Sequence, residues 1–169
     1  MLTADDKWSI HELLERYCIT LDDFDRDGWM ELFEPQGMWL ALTTQLRTRD
    51  DFERFTSSWP KPKQLQNTRH QMHGVVINEV GGQGSYATVR SEVTNVRAEP
   101  NGPPVITFLG AYEDLVQKAG GLWRFKIRTM QKRNIVYVES AIASLFTTTD
   151  EQDAAAGELL AVAIGEAAA

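Results

Sequence analysis

Residues 70–97 read HQMHGVVINEVGGQGSYATVRSEVTNVR, and this stretch sets the character of the fold. Apolar and polar residues alternate on both sides of the turn GGQG, which is the pattern of two antiparallel strands joined in a hairpin. A second hairpin follows the turn NGPP. Its strands are VITFLGAYEDLVQ and LWRFKIRTMQKRNIVYV, joined by the turn KAGG, within residues 105–138. The two hairpins predict a curved antiparallel sheet of at least four strands.

The chain before these hairpins has mainly helical patterns. Thr3 is a helix N-cap followed by acidic residues, and apolar side chains at helical spacing predict an amphipathic helix over residues 4–21. The segment 28–33 predicts a short second helix that ends before a proline, 37–42 a strand, and 49–59 a third helix. Helices followed by antiparallel hairpins indicate an α+β domain.

Length and composition limit the class of protein. The 169 residues, 43% of them hydrophobic, suit one folded domain. We assign this domain to residues 1–148 and treat the alanine-rich residues 149–169 as a tail, more in keeping with a frayed terminus than a lid. The net charge of −7 argues against a nucleic-acid partner. The chain has no run apolar enough for a membrane span, no secretory signal at its start and a single cysteine, Cys18, which together predict a cytoplasmic protein.

Two of the three histidines lie three positions apart, at His70 and His73. On a strand such positions face opposite sides, so a shared metal would require a bulge at Gly74. The third histidine, His11, has no ligand partner at metal spacing, whereas a catalytic zinc site normally has three protein ligands. We therefore predict no metal site, with one histidine in the cavity and the other pointing outward.

The segment from Asp23 to Glu34 matches the calcium-loop pattern D-x-D-x-D-G-x5-E. Pro35 follows the last position directly and disfavours the helix that should begin there. The next residues have a strand pattern, and no second loop is present to pair with the first. Aspartates also cap helices and favour turns, so we interpret this segment as a helix-to-helix turn.

Three stretches resemble the SnoaL-like branch of the nuclear transport factor 2-like superfamily: RYCITLDDFDRDGWMELF (16–33), TRHQMHGVVIN (68–78) and GAYEDLVQKAGGLWRFKIR (110–128). That group includes polyketide cyclases, scytalone dehydratase, steroid isomerases and hexachlorocyclohexane dehydrochlorinase. The resemblance runs from about residue 5 to 146. It implies a cone-shaped α+β barrel in which the helices close one end of a curved sheet around a deep pocket.

The resemblance also implies an acid–base pair. Asp22 and His70 match the aspartate and histidine that work together in the dehydratase and dehydrochlorinase members. Arg128 follows Trp123 at the spacing of the dehydrochlorinase arginine, whereas Tyr17 replaces that enzyme's lysine and puts an identical substrate in doubt. A histidine bonded to a carboxylate has its tautomer fixed and its charged form stabilised. Arg128 could stabilise negative charge, and Tyr17 could donate to a leaving atom.

Four further residues are candidates for substrate contact. Tyr112 and Asp114 share one strand face, Trp39 is a candidate apolar wall, and His73 is a supporting residue. The expected function is a cofactor-independent lyase or isomerase acting on an aromatic or polycyclic small molecule. Members of the group often assemble as dimers or trimers, so a homo-oligomer is expected.

Two other functions remain open. Small subunits of aromatic-ring-hydroxylating dioxygenases share the LD…W..L pattern near the start, RH before a long strand and a closing stretch like residues 122–146. Those subunits are mainly structural. A non-catalytic carrier of small molecules using the same cone is the third alternative.

Overall fold

The computed structural model describes residues 1–60, 67–131, 135–137 and 150–169. The helices of these segments are α1 (Ala4–Asp22), α2 (Arg26–Glu31), α3 (Arg49–Ser57) and α4 (Asp150–Ala168). The strands are β1 (Phe33–Ala41), β2 (Thr44–Leu46), β3 (Thr68–Val80), β4 (Tyr86–Arg97), β5 (Val105–Ala119), β6 (Leu122–Met130) and β7 (Ile135–Tyr137).

The strands form one curved sheet in the order β2-β1-β6-β5-β4-β3, with β7 paired to β5. The predicted α+β class and both hairpins are confirmed. The sheet does not close into a barrel, and β2 and β3 form its edges within the described segments. β1 runs parallel to β6, whereas the other pairs are antiparallel. The parallel pair was not predicted, because the strand pattern of β1 carries no sign of its partner.

α1 begins with the predicted N-cap. The Thr3 side chain accepts from the backbone N–H of Asp6, and the Asp6 carboxylate accepts from the backbone N–H of Thr3 at 3.0 Å. Asp6 also binds Lys118 Nζ at 2.6 Å and accepts from Trp123 Nε1 at 3.1 Å. These contacts lower the pKa of Asp6, with the Lys118 bond as the largest cause. The start of α1 is therefore tied to the end of β5 and the beginning of β6.

Most of the aromatic side chains fill the core between the helices and the sheet. Trp29 is fully buried in α2, and its ring lies 5.1–6.1 Å from the rings of its neighbours. These neighbours are Tyr17, Phe33, Trp39, Phe52, Phe55 and Trp59. Ring pairs at such distances add to the burial of apolar area. Four of these neighbours, Tyr17, Trp39, Phe55 and Trp59, also line the cavity described below.

The starts of α2 and β1 differ from the prediction. α2 starts at Arg26 rather than residue 28, because the Asp25 side chain caps it by accepting from Gly28 N at 3.3 Å. β1 starts at Phe33, four residues earlier than predicted. The last arm of the second hairpin is interrupted. β6 ends at Met130, and β7 resumes pairing along β5, while residues 132–134 lie outside the described segments.

The C-terminal residues do not form the expected frayed terminus. α4 packs on the outer face of the sheet, opposite α1–α3, and buries Ala156, Leu160 and Ala163. Their partners are Leu40, Leu115 and Ile127, which form a second apolar cluster. The alanine-rich composition conceals this packing, because small side chains give only a weak apolar stripe. No helix in the described segments combines the length and apolar character needed to cross a membrane.

Candidate active site

The helices and the inner face of the sheet enclose a cavity of about 490 Å³. Its walls are mainly apolar and include Phe24, Trp39, Phe55 and Trp59. Its polar lining residues are Tyr17, Thr44, His70, Asn95, Thr107 and Tyr112. A space of this size and character suits a drug-sized, largely apolar molecule held in place by a few polar groups.

His70 and Asp22 meet at the edge of this cavity. Asp22 is the last residue of α1, and its Oδ1 lies 2.5 Å from His70 Nδ1. Its second oxygen accepts the backbone N–H of His70 at 2.8 Å. Since a carboxylate only accepts, Nδ1 carries a hydrogen and the ring is fixed in orientation. Asp22 is buried, whereas the His70 side chain is 18% exposed, toward the cavity that it lines.

The third group at the imidazole, Asn95 on β4, was missed by the sequence analysis. Its Nδ2 lies 3.1 Å from His70 Nε2, and it lines the cavity. The register explains the omission. If the pairing that begins at Val80↔Tyr86 continued without a break, His70 would lie opposite residue 96.

A bulge changes this register. The pairing shifts between His73 and Val76, so that His70 lies opposite Asn95. Gly74 occupies the bulge with φ +60, a conformation that glycine adopts without the strain that a side chain brings. A glycine inside the strand pattern is the one signal that could have suggested the shift.

His73 lies outside the cavity, which corrects its assignment to substrate contact. Its Nε2 lies 2.8 Å from Thr94 Oγ1, and its Nδ1 lies 3.7 Å from Glu92. Both the His73 and the Glu92 side chains are about half exposed. The two histidines of β3 therefore face different environments, as predicted.

Arg128 also differs from its expected place. Its side chain is fully buried and does not line the cavity. Nη1 lies 2.6 Å from Asp114 Oδ2, and the guanidinium stacks 3.7 Å from the Tyr112 ring centre and 4.1 Å from that of Tyr17. Asp114 is sealed in the same way, so neither charge can touch a ligand directly. The two tyrosine rings separate this ion pair from the cavity.

Burial governs the protonation of this cluster. It raises the pKa of the Asp114 carboxyl to about 7, against the opposing effect of Arg128. Burial likewise raises the pKa of Tyr17 and of Tyr112, so both phenols stay neutral. Their hydroxyl oxygens lie 3.4 Å apart. Neutral phenols next to a stacked cation are well suited to donate hydrogen bonds to an oxygen atom of a ligand.

The aspartate turn at the end of α1 has structural contacts. Asp25 caps α2, as described, and Glu34 lies in β1 with its carboxylate 3.9 Å from Arg124. Among the residues that the structure describes, no group of three or more His, Cys, Asp or Glu side chains is arranged to hold a metal ion.

Comparison with known proteins places this geometry in a family. The sequence-family model of the SnoaL-like domain matches residues 3–129 of this chain. Among solved structures, a function-unknown protein from Mycobacterium tuberculosis is 23% identical with a TM-score of 0.67, over 98% of each chain. A putative scytalone dehydratase from Novosphingobium aromaticivorans is 20% identical with a TM-score of 0.61, over 79% of this chain and 88% of that one.

A third similar structure comes from another class of protein. The beta subunit of a putative aromatic-ring-hydroxylating dioxygenase from Novosphingobium aromaticivorans is 20% identical with a TM-score of 0.63, over 83% of this chain and 94% of that one. At these identities the likeness concerns the fold alone. No curated protein matches the chain.

Proposed function

The chain belongs to the SnoaL-like domain family, and from this we propose that it is a cofactor-independent lyase or isomerase with Asp22 and His70 as its acid–base dyad. One observation carries the proposal. His70 lines an apolar cavity while its Nδ1 is held by a buried carboxylate. A histidine that only filled space in the core would not require both an exposed ring edge in a cavity and a buried carboxylate at its Nδ1.

In the proposed reaction, His70 Nε2 takes a proton from a carbon of the bound molecule. The C–H bond breaks, its electron pair moves toward an adjacent carbonyl or expels a leaving group, and an N–H bond forms on the imidazole. Asp22 stabilises the resulting imidazolium. The leaving group of an elimination would be water, halide or a carbon fragment, and an isomerisation would return the proton to another carbon.

Tyr17 and Tyr112 are proposed to hold the oxygen on which negative charge develops. Both line the cavity, and both are neutral phenols. Arg128 acts through them, because its guanidinium stacks on both rings without reaching the cavity. We therefore replace its expected direct contact with the substrate by an electrostatic role beneath the phenols.

The proposed substrate is an aromatic or polycyclic small molecule. Trp39, Phe55 and Trp59 supply flat apolar walls, and the volume of about 490 Å³ accommodates two or three fused rings. The Tyr17 and Tyr112 hydroxyls lie 3.4 Å apart and Asn95 contacts His70, so the cavity offers a few paired polar groups to a mainly apolar molecule.

The test uses 2-tetralone, a flat bicyclic ketone with an acidic C–H next to its carbonyl. In D₂O, the protein should accelerate deuterium incorporation at that carbon, measured by NMR. His70→Ala should lower this catalysed exchange by about 10²-fold or more. His73→Ala is the matched control, since His73 lies on the same strand outside the cavity, and it should exchange like the unmodified protein. Equal exchange in both variants would contradict the proposal.

A structural small subunit is the second candidate, supported by apolar side chains on the outer side of α1. Trp8 is 75% exposed and Ile19 is 58% exposed. They lie eleven residues apart, about three helical turns, and so share one face. Sedimentation of the purified protein separates the candidates. We propose a stable dimer or trimer for the enzyme, and this result would argue against a structural subunit that requires a larger partner. Aggregation that is relieved by Trp8→Gln would favour the structural subunit.

A further inference from the structure

Asn95 completes the hydrogen bonding around the His70 imidazole. It lies directly across from His70 in the β3–β4 ladder, and both side chains line the cavity. Asp22 binds Nδ1 at 2.5 Å, and the Asn95 amide reaches Nε2 at 3.1 Å. Both ring nitrogens are therefore engaged before any ligand is present.

These contacts fix the protonation of the ring. Nδ1 faces a carboxylate, which only accepts, so it carries a hydrogen. Nε2 faces an amide nitrogen, which only donates, so it holds a lone pair. The imidazole in this arrangement is neutral, and the nitrogen that would take a proton from a ligand is unprotonated.

The oxygen of the same amide has no hydrogen-bond partner among the described residues, although it is buried. Amide oxygen and nitrogen have nearly the same shape, so a half-turn of the amide places the oxygen against Nε2. This second orientation requires a hydrogen on Nε2 and hence an imidazolium. The amide oxygen thus gains a strong, charge-assisted donor only after His70 has taken up a proton.

We propose that Asn95 is a positioning residue for His70: its amide donates to Nε2 while the ring is neutral and turns over to accept from Nε2 once the ring is protonated. The contact keeps Nε2 free of a proton at rest, and a ligand C–H displaces the amide from the lone pair. When the proton moves from carbon to Nε2, the electron pair stays with the ligand and the amide oxygen binds the new N–H. Only the step in which His70 takes a proton from a ligand rests on the proposed function.

The test is an NMR pH titration of the histidine rings in the full-length protein and in Asn95→Asp. A carboxylate at this position can only accept, so it holds a proton on Nε2. The titration midpoint of His70 should rise by about one pH unit or more. Tyr17 and Tyr112, the other titratable side chains lining the cavity, stay neutral because burial raises the pKa of each.

Thr94→Asp provides the matched control. Thr94 Oγ1 contacts His73 Nε2 at 2.8 Å on the same pair of strands. This change should raise the midpoint of His73 and leave that of His70 in place. An unmoved His70 midpoint in Asn95→Asp would overturn the proposal.

A second variant covers the case in which Asn95→Asp does not fold. In Asn95→Leu, the ¹⁵N resonance of His70 Nε2 should move to the position of a nitrogen without a donor, and an unchanged resonance would overturn the proposal. The readout is independent of turnover. A raised His70 midpoint without deuterium exchange on 2-tetralone would support the positioning role of Asn95 and contradict the proposed enzymatic function. Deuterium exchange that depends on His70, together with an unmoved His70 midpoint, would support the enzymatic function and overturn the role of Asn95.

Discussion

Asp22 and Asp114 are buried aspartates that each hold a basic side chain, and their surroundings differ. Asp22 ends α1 and reaches His70 on β3, 48 residues away. Asp114 lies directly across from Arg128 in the β5–β6 ladder. The His70 side chain is partly open to the cavity, whereas Arg128 is sealed beneath Tyr17 and Tyr112.

The difference indicates different roles for the two pairs, proton transfer for one and structural support for the other. An imidazole that lines a cavity can gain and lose a proton near neutral pH, whereas a guanidinium stays charged. The Asp22 pair therefore suits proton transfer. The Asp114 pair instead provides a fixed charge under the phenols, and its removal should disturb the fold before it disturbs any reaction.

The largest expected effect is on stability. At pH 8, above the raised pKa of Asp114, Arg128→Met leaves this carboxylate buried without its partner, which should lower the free energy of unfolding by about 3–5 kcal/mol. Urea unfolding of both proteins measures the change. The double variant Arg128→Met with Asp114→Leu removes both charges and should recover most of the loss. A single variant as stable as the unmodified protein would show that this pair does not support the fold.

The effect on turnover should come from the other pair. Asp22→Asn removes the charge that stabilises the imidazolium, and deuterium exchange on 2-tetralone should fall by about 10²–10³-fold. The fold should persist, because an amide of the same shape replaces the carboxylate. Circular dichroism and urea unfolding provide the control. Full exchange activity in this variant would remove Asp22 from the dyad.

The pH dependence of stability should come partly from Asp114. Burial raises the pKa of its carboxyl from 3.8 to about 7, so between these values the folded protein binds a proton that the unfolded chain does not. The free energy of unfolding contributed by this group should therefore fall as pH rises from about 4 to about 7, by up to about 1.4 kcal/mol per unit.

Asp114→Asn isolates this contribution, since it lacks the titrating group and keeps the others. The stability of the unmodified protein minus that of the variant should decline across pH 4–7 in urea unfolding. A difference that stays level, or that grows with pH, would mean that the Asp114 carboxyl is ionised throughout.

The smallest effect concerns the tyrosine hydroxyls. Tyr112→Phe removes a hydroxyl 3.4 Å from that of Tyr17 and keeps the ring that stacks on Arg128. Stability should change by about 1 kcal/mol or less. Tyr112→Leu also removes the ring and should cost clearly more in thermal unfolding. Equal losses in the two variants would show that the hydroxyl, rather than the stacked ring, carries the interaction.

Local patterns were sufficient for much of the fold. The alternation around GGQG predicted β3 and β4, and the Thr3 cap with its apolar stripe predicted α1. The parallel contact of β1 with β6 and the packing of α4 were not predictable in this way. Both depend on contacts between distant segments, and α4 presents mainly small side chains to the sheet, with Leu160 as the one large buried residue.

The candidate site shows the same division. The resemblance to a family suggested Asp22 and His70, which the structure brings into contact, although their catalytic role stays a prediction. Asn95 escaped notice because a one-residue bulge at Gly74 decides which residue faces His70. Arg128 was misplaced because spacing along β6 does not show that Asp114 and two rings enclose it.

The most direct test of the dyad is the ¹⁵N NMR spectrum of the neutral His70 imidazole, in the unmodified protein and in Asp22→Asn. Asp22 Oδ1 faces Nδ1, so the unmodified protein should carry its ring proton on Nδ1. Asp22 Oδ2 accepts the backbone N–H of His70, so the oxygen of the new amide should stay there and its nitrogen should face Nδ1.

In Asp22→Asn, the ring proton should therefore move to Nε2, which removes the lone pair from the cavity. A proton on Nδ1 in the unmodified protein and on Nε2 in the variant is the result we predict. The same tautomer in both proteins would contradict the account, because Asp22 would then not set the state of the proposed base.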